Sequence, residues 1–139
     1  MSWNGVKKQS YEQEIKSWCE EMGIENYTIN SKGEIDVDEN VNLMGKDFKE
    51  LPYKFSKVNG FFEISNNKNI TSLKNCPNYI VDYFGCDNCS SLDSLDGCPR
   101  IVKMSFCIWN CKKIFIEEEI KLRCLVYGDI FINEPIYKS

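Results

Sequence analysis

The sequence contains no histidine. That absence removes imidazole acid–base catalysis, Ser-His-Asp and Cys-His nucleophile systems, and every metal site that needs a histidine ligand. There is no excess of positive charge either: 17 Lys and Arg stand against 21 Asp and Glu, a formal net charge of −4. A mildly acidic chain without a basic cluster is poorly equipped to neutralise a phosphate backbone, so no nucleic-acid partner is expected. No apolar run approaches the length that crosses a membrane, and the opening MSWNGVKKQSYEQE lacks the apolar stretch of a signal peptide. No membrane partner is expected, and a cytoplasmic location is. What is present reads as globular: 42% hydrophobic and 27% charged residues over 139 positions, enough for one compact domain. Eight cysteines without a secretory signal point to reduced thiols or metal ligands.

The first organised segment covers residues 10–23. Tyr11, Ile15, Trp18, Cys19 and Met22 recur at the spacing of one helix face. Ser10 with Gln13 three residues on matches a capping box, and Gly23 fits the left-handed stop, with Ile24 as its hydrophobic contact. The opposite face carries Glu12, Glu14, Lys16, Glu20 and Glu21, so the expectation is an amphipathic helix covering one end of a core. Residues 27–29 and 35–37 alternate in polarity around Ser31-Lys32-Gly33, which predicts a β-hairpin. Asp36, Asp38 and Glu39 alternate with apolar residues but lack the glycine and distal glutamate of a calcium loop, so they read as the polar face of a strand.

The chain then matches itself at a shift of 22 residues. Leu73-Lys74-Asn75-Cys76-Pro77 aligns with Leu95-Asp96-Gly97-Cys98-Pro99. Phe62, Ile64, Asn67 and Ile70 align with Phe84, Cys86, Cys89 and Leu92, and again with Phe106, Ile108, Cys111 and Ile114. Val41, Leu43, Lys46, Phe48 and Leu51 form a shorter copy before them, and Ile130 and Ile132 a degenerate one after. A fixed period of this length is the mark of a solenoid, because no single repeat can bury its own apolar face. The pattern resembles a leucine-rich repeat over about residues 35–133. The leading position departs from leucine at Asn59, Val81 and Lys103, and Glu117 stands where leucine is expected, so the stack is expected to be irregular and to twist or end near residue 116. The fold class expected is α+β: a short leucine-rich-repeat-like solenoid with a parallel strand sheet, an N-terminal amphipathic helix and a β-hairpin cap. Residues 1–34 form the cap and the start of the hairpin, and residues 35–139 the solenoid with its C-terminal cap.

A second resemblance spans most of the chain. The opening Ile15-Lys16-Ser17-Trp18-Cys19-Glu20-Glu21-Met22-Gly23, the run from Gly33 to Asp38, Ser65-Asn66-Asn67 and the two Cys-Pro blocks are similar to those of small bacteriophage proteins with degenerate repeats. It implies a phage origin, and with it a protein that works in a bacterial host cytoplasm.

Cys86, Cys89, Cys107 and Cys111 are spaced like a four-cysteine zinc site. The repeat register argues for another role. Cys89 and Cys111 occupy the Asn67 position, Cys86 occupies an inward core position, and Cys107 falls on the outward side. Four thiols so placed do not converge on one ion, so no cofactor is expected. The same register arranges the outward side chains of the strands in rows: Phe61, Tyr83 and Ser105; Glu63, Gly85 and Cys107; Ser65, Asp87 and Trp109; Asn66, Asn88 and Asn110, with Asp129, Phe131 and Asn133 extending them if residues 130–133 form a last strand. Asn in the last row suits a left-handed turn. Clustered outward aromatics favour a protein interface. The partner-binding set is therefore Phe61, Glu63, Tyr83, Asp87, Trp109 and Phe131. The expectation is a non-enzymatic binding module whose phage resemblance implies inhibition of a host protein, such as an antiviral defence component. The alternatives are a structural or self-assembling phage protein, a homo-oligomer, or, less favoured, a zinc-binding module through Cys86, Cys89, Cys107 and Cys111 or an enzyme using Asp36, Asp38, Glu39, Glu63 or Asp87.

Overall fold

A computed structural model describes residues 5–132. Helix α1 (Gly5–Met22) begins five residues before Ser10, so the Ser10–Gln13 pair lies within the helix and is not its cap. Its end is where the glycine signal places it. Gly23 takes φ +78°, the left-handed conformation that a Cβ disfavours. The Gly23 N–H donates to Glu20 O at 3.2 Å and the Ile24 N–H to Cys19 O at 2.8 Å, which satisfies carbonyls the helix would otherwise leave bare. Ile15, Cys19 and Ile24 are buried. Trp18 packs against Phe48, Tyr53 and Phe55, with ring centroids 6.1, 5.6 and 5.9 Å away. The helix therefore closes the first end of the core. Strands β1 (Tyr27–Ile29) and β2 (Ile35–Val37) form the expected antiparallel hairpin, with Tyr27 opposite Val37. The Asn30 side chain accepts from the N–H groups of Lys32 and Glu34 at 2.9 and 3.0 Å and sets the turn.

From β2 onward the chain coils as a β-solenoid of about four turns. Each turn gives one strand to each of two sheets. The first sheet runs β1-β2-β4-β6-β8-β10, with β4 (Phe55–Val58), β6 (Tyr79–Ile80), β8 (Ile101–Val102) and β10 (Leu125–Val126). The second runs β3-β5-β7-β9-β11, with β3 (Val41–Asn42), β5 (Phe62–Glu63), β7 (Phe84–Gly85), β9 (Phe106–Cys107) and β11 (Ile130–Phe131). After the hairpin every pairing is parallel. Phe62, Phe84 and Phe106 stand side by side as the 22-residue self-match requires, and Val41 and Ile130 extend the row at spacings of 21 and 24.

The space between the sheets is filled by apolar stacks. Phe55, Phe62, Phe84 and Phe106 are fully buried, with successive centroids 5.1, 6.3 and 5.0 Å apart. Burying one such ring contributes about 1.5–3 kcal/mol, so the aromatic column is a principal source of cohesion between turns. The corners are fixed by backbone. Gly45, Asn66, Asn88 and Asn110 hold φ of 63, 63, 57 and 58° at matching points of successive turns. Asn67 is fully buried and joins turns: its Nδ2 donates to Leu43 O at 2.9 Å and Ile64 O at 2.8 Å, and its Oδ1 accepts from the Lys46 and Phe48 N–H groups at 3.0 and 3.3 Å.

Three expectations need correction. The repeat contributes two strands and not one. Val58, Ile80 and Val102 are buried one residue before the weak leading positions Asn59, Val81 and Lys103, so the apolar signal was displaced by one place. The stack does not end near residue 116. A further turn, two residues longer than those before it, passes through α2 (Glu117–Lys121) to β10 and β11, and buried Ile120 supplies the core contact that Glu117 cannot. Ile114, aligned with core residues Ile70 and Leu92, is 80% exposed, and Phe115 is buried in its stead. Among the described residues no helix is long and apolar enough to cross a membrane.

Candidate functional site

Strand alternation decides what faces out of the second sheet. Phe62 and Ile64 point into the core, so Phe61, Glu63 and Ser65 point away from it, and the same holds one and two turns later. Phe61, Glu63, Tyr83, Asp87, Trp109 and Phe131 are all half-buried. Phe61 and Tyr83 stack, with centroids 5.0 Å apart and ring planes at 21°. Phe131 lies in register with Cys107. Helix α1 sets its aromatic rings against Phe48, Tyr53 and Phe55 at the end of the stack and so does not cover this face. Asn133, expected to extend the rows, lies outside the described residues.

A polar chain crosses the face from turn to turn. The Tyr83 side chain lies beside the Glu63 carboxylate. The Ser65 hydroxyl donates to Glu63 Oε1, and so does the Ser65 N–H at 3.2 Å. The Asp87 N–H donates to Ser65 Oγ at 2.9 Å, and the Trp109 N–H donates to Asp87 Oδ1 at 3.1 Å. Glu63 can lean across because the next turn carries Gly85, where any Cβ would run into the carboxylate. Burial raises the Asp87 pKa to about 6; the Trp109 N–H partly offsets this, and the neighbouring Glu63 charge adds to it. Burial and the adjoining Glu63 likewise push Tyr83 to about 12. Among the described residues, none of the ion pairs engages Glu63 or Asp87. The arrangement is a negatively charged strip, desolvated in part, held rigid by backbone and flanked by aromatic rings. Such a strip can accept hydrogen bonds from a cationic side chain while the rings pack on its stem.

The four cysteines spaced like zinc ligands fall where the register puts them. Cys86 is in the core. Cys89 Sγ donates weakly to Ile64 O at 3.5 Å, and Cys111 Sγ to Cys86 O at 3.3 Å, the job Asn67 does one turn earlier. Cys107 sits on the outward side yet is buried, and burial, then the charges of Asp87 and Glu63, push it to about 12. The described residues hold no group of three or more His, Cys, Asp or Glu placed to share a metal ion.

The five carboxylates considered for catalysis are divided between the two sheets. Glu39 accepts from the N–H groups of Glu25 and Asn26 at 2.6 and 3.1 Å and fastens the start of the hairpin. Asp38 Oδ1 accepts from Asn59 at 3.3 Å. Asp36 lies in register with Lys57 on the first sheet. Asp36 and Asp38 line one open pocket with Lys57 and Asn59, while Glu63 and Asp87 are joined through Ser65 on the second sheet.

The structure also reveals a surface that the one-sheet reading missed. On the outer side of the first sheet, Tyr79, Ile101 and Leu125 stand in register, and Val81, Met104 and Tyr127 follow at the bends. Leu125 is 56% and Tyr127 60% exposed. Lys57 lies over the Tyr79 ring at 5.3 Å and Lys103 over Tyr127 at 4.1 Å, which shields part of the aromatic area. The sequence signal was there in the 22-residue match of Tyr79-Ile80 with Ile101-Val102. No protein-family model, no curated protein and no solved structure matches the chain.

Proposed function

We propose that this chain is a non-enzymatic protein-binding module whose working surface is the outward face of the second sheet. The observation that supports this is the Glu63–Asp87 strip: two carboxylates without a cation, one carrying a raised pKa, set among Phe61, Tyr83, Trp109 and Phe131. Leaving such a charge half-desolvated costs the folded chain stability. A partner that brings an arginine or lysine to the strip recovers that cost on binding, and the rings supply the anchors on which interfaces depend. The resemblance to small bacteriophage proteins with degenerate repeats gives the partner a class: a protein of the bacterial host, occupied and inhibited stoichiometrically, with antiviral defence components the first candidates. Bacterial cytoplasm is the compartment this reading requires.

The test is a pull-down from bacterial lysate with three tagged baits: wild type, Tyr83→Ala/Trp109→Ala, and Leu125→Ser/Tyr127→Ser. A host protein held by wild type and by the first-sheet variant, but lost by the folded Tyr83→Ala/Trp109→Ala variant, is the result expected. Loss of each aromatic anchor should cost about 2 kcal/mol, about 30-fold in affinity. Equal capture by wild type and Tyr83→Ala/Trp109→Ala overturns the assignment of this face. The second reading is self-association or a virion role through the exposed Leu125 and Tyr127 surface. It predicts a concentration-dependent oligomer in light scattering that the Leu125→Ser/Tyr127→Ser variant abolishes.

A further inference from the structure

Among the eight cysteines, Cys98 and Cys124 stand outside both the binding face and the Asn67 ladder. Cys98 and Cys124 belong to successive turns that run side by side here, the Leu125 N–H donating to Arg100 O at 2.8 Å, and their thiols are close enough for each to shift the other's acidity. Each of the segments carrying them is fixed locally, and one ion pair joins the two. Gly97 has φ +87°, and any Cβ there would run into the Leu73 backbone, so the loop bearing Cys98 is tight and fixed. The Cys98 N–H donates to Leu95 O at 2.9 Å and the Cys124 N–H to Ile120 O at 2.8 Å. Arg123 pairs with Asp96 at 3.6 Å, bridging the same two segments beside the thiols. Most of the other core cysteines are sealed, but Cys98 is half-buried and lines an open cleft of ≈ 550 Å³ with Lys54, Lys74, Arg100 and Asp96. Three cations around one accessible sulfur favour the approach of an anionic reagent.

We infer that Cys98 and Cys124 are an oxidisable dithiol that closes to a disulfide with a small anionic disulfide such as oxidised glutathione, stapling the last turn of the solenoid to the turn before it. The chemistry balances without a bound cofactor. Cys98, facing the cleft, loses its proton to solvent, a step that the neighbouring Cys124 thiol and burial make slow by raising its pKa, and attacks one sulfur of oxidised glutathione. The glutathione S–S bond breaks, the Cys98–S–S–glutathione bond forms, and one glutathione thiolate leaves and takes up a proton. The Cys124 thiolate then attacks Cys98 Sγ, the Cys98–Cys124 bond forms, and the second glutathione leaves. Two protein thiols are oxidised and one glutathione disulfide is reduced to two thiols. The bond lies where it matters for the stack. The last turn is the longest, and Leu122 and Leu125 leave it with exposed apolar surface. Cross-linking it to the preceding turn removes freedom from its unfolded state.

The experiment is thiol counting on the folded full-length chain equilibrated in glutathione buffers of increasing oxidised fraction, then denatured, alkylated and weighed. Peptide fragmentation locates the linked pair, beside Cys98→Ser and Cys124→Ser variants. Eight alkylated cysteines in reducing buffer should fall to six under oxidising conditions, with Cys98 joined to Cys124, and the oxidised form should melt higher. Each variant should retain all seven remaining thiols. Eight alkylated cysteines throughout, a bond between any other pair, or a lower melting point on oxidation would overturn the inference. Fragmentation of the wild-type chain decides the pairing even if a serine variant fails to fold.

Discussion

Replacing Asp87 by Asn should make the protein more stable and a worse binder. Asp87 is half-buried and accepts the Trp109 N–H at 3.1 Å, a bond that an Asn Oδ1 retains. The new amide can donate to Glu63, its neighbour across the strip. What the substitution removes is the charge. The rise in pKa from 3.8 to about 6 means that the folded chain holds the Asp87 proton more tightly than the unfolded chain does. By linkage, the ionised carboxylate destabilises the fold above about pH 6, and this penalty fades as pH falls towards 4. At about 1.4 kcal/mol per tenfold the full value would be about 3 kcal/mol, and solvent screening at a partly exposed group reduces it to about 1–2 kcal/mol. Urea unfolding at pH 7.5 should therefore show Asp87→Asn more stable than wild type by that amount, and the two should converge at pH 4. The melting temperature at pH 7.5 should rise by roughly 3–8 °C. Affinity for the captured partner should drop by about tenfold or more, since a charge-assisted hydrogen bond is lost. A variant that is less stable at pH 7.5, or a gap that is the same at both pH values, would refute the reading of Asp87 as a held, unpartnered charge. Stability and binding would then not trade against each other at this face.

Asn67→Ala removes four hydrogen bonds from a fully buried site, taking the side-chain partner from two N–H groups and Leu43 O and leaving Ile64 O with only the weak Cys89 thiol, so denaturant unfolding should show a loss of about 3 kcal/mol or more. Asn67→Cys, which copies Cys89 and Cys111, restores a weak donor but no matching acceptor and should fall between wild type and Ala in the same assay. Gly97→Ala drives a Cβ into the Leu73 backbone at a left-handed position and should cost about 2 kcal/mol or more by thermal melting, while Gly23→Ala, where open space surrounds the glycine, should cost only about 1 kcal/mol. Phe84→Ala opens the middle of the ring column between Phe62 and Phe106, and the expected loss is about 3–5 kcal/mol in chemical denaturation.

Period and side-chain parity were legible in the sequence because both are geometric. A 22-residue match forces Phe62, Phe84 and Phe106 into register, and alternation along each strand then sends Phe61, Tyr83, Glu63 and Cys107 to the other side. The hairpin and the Gly23 stop were legible because their chemistry is local. The second sheet's partner was not, because Tyr79–Ile80 and Ile101–Val102 carry one buried residue each, whereas Phe62, Phe84 and Phe106 are each followed two places on by a second inward residue that reveals the alternation. Ser10 misled because an exposed helix surface can place a Ser and a Gln three residues apart without either capping anything. The last turn escaped for a related reason: its two additional residues break the 22-residue match, and Ile120 reaches the core from a helix where earlier turns use an extended arm. Within the candidate site, the residues could be named but their coupling could not. That Glu63 leans over Gly85 and meets Ser65 and Tyr83 depends on the distance between turns, which no residue pattern encodes.

The central claim is that the face bearing Glu63, Asp87 and the aromatic rings is where a partner sits. The most direct measurement is amide hydrogen exchange of the chain with and without its captured partner. The account predicts slowed exchange at residues 61–66, 83–88 and 105–110, with residues 79–81, 101–104 and 125–127 unchanged. Protection confined to that second group, or no change at residues 61–66 and 83–88 in a saturated complex, would contradict it.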